Sequence, residues 1–103
     1  MRCRSCPPVP EEVRRLADLL ERRWTLPVLY AAHLGAERFN EFQQALGGAP
    51  PATLAQRLAD LEAAGLLVRE VIDARPPRAE YRLTQVGRDL VELIGAMRGC
   101  VAR

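Results

Sequence analysis

The sequence predicts a small α+β domain, mostly helical, in which five helical segments are interrupted once, by a β-hairpin between the fourth and the fifth. Three observations carry that expectation. Apolar residues recur every three to four positions in four stretches, the pattern of helices with one buried side. Gly35, Gly47, Gly48 and Gly65 fall where those stretches stop, as glycine does at helix ends. Between Leu66 and Leu83 the period shortens: Leu66 to Ile72 is β-prone, and Ala79 to Leu83 alternates Tyr81 and Leu83 with charged Glu80 and Arg82.

Residues 1–9, with Pro7 and Pro8, read as an extended arm. Pro10 opens a first helix to about Glu21, with Glu11 and Glu12 suited to its positive end and Val13, Leu16, Ala17 and Leu20 on one stripe. Thr25 is the expected cap of a second helix, where Pro27 is tolerated in the first turn; Leu26, Leu29, Tyr30 and Leu34 are its expected buried side, and Gly35 its stop. Glu37-Arg38-Phe39 has room for a one-bridge strand, and Asn40 is the expected cap of a third helix over Glu41 to Leu46. Gly47-Gly48 forces a break. Pro51 to Ala64 is the most regular helix, with Leu54, Leu58 and Leu61 at i, i+4 and i+7. Asp73 to Arg78, with two prolines, is the hairpin loop. Thr84 caps a last helix, residues 84–103, striped by Val86, Leu90, Leu93, Ile94, Met97 and Val101.

Length and composition narrow the function classes. A chain of 103 residues fits one domain, residues 1–103. At 49% hydrophobic residues it has no apolar run near the roughly 20 residues that cross a bilayer. The start, Met1-Arg2-Cys3-Arg4-Ser5-Cys6, carries no apolar segment of a secretion signal, so the expected location is cytoplasmic, with no membrane partner. All 15 basic residues are arginine, and the net charge of +2 does not by itself identify a nucleic-acid binder. One histidine, no glycine-rich phosphate loop and no Ser/His/Asp pattern leave no catalytic residues to name and no cofactor. Cys3-x-x-Cys6 has zinc-like spacing, but only Cys100 and His33 could complete the set, so no metal is expected.

The order short helix, Gly-Gly turn, helix, hairpin is that of a winged helix-turn-helix, which presents its second helix to the major groove of DNA. With the three leucines inward, Ala52, Thr53, Gln56, Arg57 and Asp60 lie toward the other side, and the first four form the base-reading set. Gln pairs with adenine, Arg with guanine, and Thr or Ala with a thymine methyl. Arg38, Asn40, Arg75 and Arg78 are the candidates for the phosphate backbone, the last two beside Pro76-Pro77 in a two-stranded β-wing.

These residues resemble the HxlR-type regulators of the MarR-like winged-helix group. The matching pieces are Arg23-Trp24-Thr25-Leu26, Arg38-Phe39-Asn40-Glu41, Leu54-Ala55-Gln56-Arg57-Leu58, Leu61 to Leu66, and Pro76 to Thr84, in order and across almost the whole chain. The resemblance implies a dimeric repressor or activator that reads a pseudo-palindromic operator and pairs through terminal helices. Leu90, Leu93, Ile94 and Met97 are the expected interface. Where the family usually has Gly-Gly before Lys-Trp, this chain has Glu21-Arg22 before Arg23-Trp24, so the first turn is expected to be built differently. Where the family has Ser-Pro-Lys, it has Pro50-Pro51-Ala52, losing a cap worth about 0.5–2 kcal/mol and a phosphate-contacting cation.

Cys6 stands where the resembled family often carries a cysteine, through which some of its members sense oxidants or electrophiles. Arg2 and Arg4 favour a thiolate there, and Cys100 of a second subunit is a candidate partner for a disulfide. The expected resting state is three reduced thiols. The expected function is sequence-specific binding of double-stranded DNA by a homodimeric transcriptional regulator, with thiol-based redox sensing through Cys6 and a small-molecule or oxidant effector as further expectations. The competing expectation is a winged-helix protein-protein assembly module, which suits five arginines against five acidic residues over Pro50 to Arg82.

Overall fold

The computed structural model describes residues 5–101. Helices α1 (Glu11–Leu20), α2 (Thr25–His33), α3 (Phe39–Ala45) and α4 (Pro51–Ala63) precede the antiparallel strands β1 (Leu67–Ile72) and β2 (Arg78–Leu83), and α5 (Gln85–Val101) follows. This is the expected α+β winged helix-turn-helix. The sheet pairs Leu67 with Leu83 at its base and Ile72 with Arg78 at its tip.

The core forms where the leucines of α4 meet α2, α3 and the base of the wing. Val28, Leu29, Phe42, Leu54, Leu58 and Leu61 are fully buried, joined by Leu66, Leu67 and Val91. Tyr81 of β2 meets Phe42 edge-on at 6.2 Å between ring centres, which anchors the wing to α3. Thr84 fastens α5 to this base. Its hydroxyl donates to the Gly65 carbonyl at 2.6 Å and accepts from the Gly87 amide at 3.1 Å, the capping role expected of it. Gly87 is buried so close to the Leu66 carbonyl that a Cβ there would collide with it.

Several local expectations are corrected. Thr25 is the first residue of α2 rather than its cap; the cap position is Trp24, at φ +78°. A bulky residue in left-handed backbone is how this chain makes the α1–α2 turn without the family's glycine pair. The Thr25 hydroxyl is buried with no hydrogen-bond partner among the described residues. The fully buried side of α2 is Thr25, Val28, Leu29 and Ala31; of the expected stripe Leu29 is buried and Leu26 and Tyr30 are half-buried against the core, whereas Leu34 falls at the C-cap and is exposed.

Asn40 lies inside α3, whose N-cap is Arg38. The helix starts earlier because the Glu41 carboxylate reaches back to accept the amides of Glu37 at 2.9 Å and Arg38 at 2.8 Å. Those bonds hold its carboxyl below the ordinary glutamate value. The segment before α3 is not a strand, although the Tyr81 amide donates to the Glu37 carbonyl at 2.8 Å.

Two apolar stripes remain partly uncovered, although Leu19 and Leu20 of α1 pack half-buried against the core. No residue of α1 is buried, and Val9, Val13 and Leu16 are exposed along with Val86, Leu93, Met97 and Val101 around α5. Leu90 and Ile94, expected on the same outer face, are half-buried against the chain's own core instead. They flank Val91, the α5 residue that enters the core, and so follow it inward. The radius of gyration is 16.1 Å, against about 13 Å for a compact chain of this length. The extra extent fits a helix that projects from the core.

Candidate nucleic-acid interface

Left-handed backbone at Gly47 (φ +67°) and Gly48 (φ +112°) turns α3 into α4 and sets α4 across the front of the core. Pro51 occupies the first helical position, where its missing amide costs nothing, and no side chain caps the helix. With Leu54, Leu58 and Leu61 inward, Ala52 and Gln56 are exposed and Thr53 is half-exposed. These three expected base readers stand on one solvent-facing side.

Arg57 stands apart from them. Its Nε donates to the Arg23 carbonyl at 2.8 Å and its Nη1 to Asp60 Oδ2 at 2.9 Å, and the side chain is only 19% exposed. The guanidinium is spent on fixing α4 to the α1–α2 turn, which corrects its expected place among the free readers. Asp60 is the centre of this network. Gln56 Nε2 donates to its Oδ1 at 2.9 Å, and Arg22 Nη1 lies 3.0 Å from its Oδ2. Burial of Asp60 acts to raise its pKa, but the bonds from Gln56, Arg22 and Arg57 outweigh it and hold the carboxyl below the ordinary aspartate value.

A second carboxylate organises the wing. Glu80, 8% exposed, lies 3.7 Å from Arg38 Nε, 3.3 Å from Arg78 Nε and 3.8 Å from Arg82 Nη2. Arg82 also reaches Glu70 on β1 at 3.0 Å. Arg38 and Arg78 meet across the Glu80 carboxylate at an open groove lined by Arg38, Phe39, Asn40, Arg78, Ala79 and Tyr81. The backbone candidates Arg38, Asn40 and Arg78 therefore come together, while Arg75 stays exposed near the tip.

Sequence reading left the organising roles of Glu80, Asp60 and Arg22 unassigned. The spacing of Gln56 and Arg57 to Asp60 was visible in the chain; the approach of Arg22 depends on tertiary packing. Of the thiols, Cys6 is disulfide-bonded, which departs from the expected reduced state, and Cys100 is a free, exposed thiol. Cys3 lies outside the described residues. Among the described residues no cluster of His, Cys, Asp or Glu could hold a metal, and no helix is long and apolar enough to cross a membrane.

A family model described as HxlR-like helix-turn-helix matches residues 19–103. The HTH-type transcriptional regulator Rv3095 of Mycobacterium tuberculosis is 43% identical over 84 residues, covering 82% of this chain and 52% of its own length. The chain thus spans about half of that relative. The HTH-type transcriptional regulator YvaP of Bacillus subtilis is 35% identical over 81 residues, covering 79% of this chain and 75% of its own. Among solved structures, the reduced form of the transcriptional regulator YodB from B. subtilis superposes with a TM-score of 0.78 at 25% identity, over 89% of this chain and 90% of that one. The redox regulator HypR in its oxidised form gives 0.77 at 33% identity, over 85% and 91%.

Proposed function

Because the chain belongs to the HxlR-like helix-turn-helix family of transcriptional regulators, we propose that it binds duplex DNA as a homodimer, with α4 in the major groove and the hairpin as wing. The observation that carries this reading is the exposed side of α4. Ala52, Thr53 and Gln56 are exposed or half-exposed on the second helix of a helix-turn-helix, and a separate open groove holds Arg38 and Arg78, which would take a phosphate oxygen. The cytoplasmic location expected from the sequence goes with this reading.

A second copy is the occupant that the exposed stripes of α1 and α5 call for. A twofold axis between the stripes would bury both, and it would give a pseudo-palindrome two half-sites about 34 Å apart. Binding to duplex DNA, measured by fluorescence anisotropy across a salt series, should weaken steeply as salt rises, because phosphates neutralised by arginine release counterions. Lack of any binding at low salt would overturn the DNA reading and favour the assembly module.

A thiol-linked response has a specific observation behind it: a disulfide-bonded Cys6 and a free Cys100 in a chain similar to YodB and HypR, solved in reduced or oxidised forms. In this reading the oxidation state of Cys6 and Cys100 sets DNA affinity. Starting from fully reduced protein, the affinity of Cys6→Ser should then not change on diamide treatment, whereas that of the unmutated protein should. Equal responses would remove Cys6 from the mechanism.

A further inference from the structure

The contacts around Asp60 bear on which base the reading helix selects, an inference that rests on α4 entering the major groove. With Arg57 bonded to the Arg23 carbonyl and to Asp60, the group best suited to guanine is committed to the protein. Gln56 then carries the hydrogen-bonding chemistry of the exposed face.

A free glutamine amide can rotate and offer its carbonyl and its amino group in either order. Here one amide N–H is donated to Asp60 Oδ1 at 2.9 Å, leaving one N–H and one carbonyl oxygen outward. Adenine presents the complement in the major groove, an N7 acceptor beside an N6 donor, whereas guanine presents two acceptors. Asp60 can act as a fixed acceptor because its other oxygen is gripped by Arg22 at 3.0 Å and Arg57 at 2.9 Å, and its side chain is only 12% exposed. We propose that Gln56 selects adenine at one position of each half-site, and that Asp60 is the positioning residue that turns its amide to do so.

The test begins with duplexes selected from a randomised pool by the unmutated protein at low salt, followed by affinities for the selected site and its single-base variants. A bidentate contact predicts an adenine-over-guanine preference of about 5- to 150-fold at one position per half-site. Gln56→Ala should bring that ratio close to one. Asp60→Ala should remove most of it, and so should Asp60→Asn, whose one oxygen is claimed by Arg22 and Arg57 and whose amino group then faces Gln56 in place of an acceptor. The ratio is the readout because a uniform loss of affinity cannot move it.

A preference that survives Gln56→Ala overturns the reading role; one lost with Gln56→Ala but kept in Asp60→Ala overturns the positioning role. Should Asp60→Ala not fold, the bond is measured in the unmutated protein as a through-hydrogen-bond coupling between Gln56 Nε2 and the Asp60 carboxyl carbon, and its absence overturns the positioning role. A pool that yields no enriched site while salt-sensitive DNA binding persists overturns this inference alone; no DNA binding at all overturns the proposed function with it.

Discussion

Leu93→Ala tests whether the α5 stripe is a dimer seam. Leu93 is 59% exposed in the isolated chain. Burying a whole leucine side chain is worth about 1.5–3 kcal/mol, so sealing the exposed part contributes about 1–1.8 kcal/mol per protomer, and twice that across a twofold axis. Truncation to alanine should therefore cost the dimer up to about 2–3.5 kcal/mol, a rise in dissociation constant of roughly 30- to 400-fold. Sedimentation equilibrium without DNA reads this directly. Val71 on β1 has the same 59% exposure but lies on the wing, so Val71→Ala is the matched control and should leave the association unchanged. Equal association constants for the two variants would refute the argument that the α5 stripe is the seam.

Other perturbations follow from the same geometry. Leu58→Ala, at a fully buried position of α4, should lower unfolding stability in urea by about 2–5 kcal/mol; a loss below 1 kcal/mol would contradict the core described. Gly87→Ala should lower the melting temperature, because the new methyl meets the Leu66 carbonyl, at a cost of about 1–3 kcal/mol. Glu80→Ala should destabilise the fold by about 1–3 kcal/mol by removing the carboxylate shared by Arg38, Arg78 and Arg82; an unchanged melt would show that these arginines do not depend on it.

Acid titration checks Asp60. Its folded pKa lies below the unfolded value of about 3.9, so its contribution is complete above that value and disappears as pH falls through the folded pKa. The unmutated protein should accordingly lose stability more steeply than Asp60→Asn below about pH 4, with parallel curves from pH 5 to 7.

Much of the fold was legible because short-range chemistry decides it. Leu54, Leu58 and Leu61 share a side of any helix they occupy, Gly47-Gly48 permits backbone that larger residues resist, and Thr84 finds the Gly87 amide three residues on. Errors arose where two local solutions competed. Asn40 could have capped α3, but a helix begun at Phe39 lets the Glu41 carboxylate take two backbone amides at once. Leu34 fits the α2 stripe by spacing, yet it falls at the C-cap, just past the helix that would have aimed it inward.

The sequence by itself determined which residues are apolar on one side, where the chain must turn, and that Ala52, Thr53 and Gln56 share a face of α4, since each of these depends on neighbours within a few positions. Tertiary structure alone decided the use of the charged groups. Arg57 is held by the Arg23 carbonyl, Asp60 by Arg22, and Glu80 by Arg38 at the N-cap of α3 and Arg78 of β2. It also decided that α1, as amphipathic as any helix in the chain, would cover only its C-terminal Leu19 and Leu20 and leave Val13 and Leu16 exposed. A guanidinium bonds to whichever carboxylate or carbonyl folding brings within about 3 Å, and that distance is a property of the packed chain rather than of residue spacing.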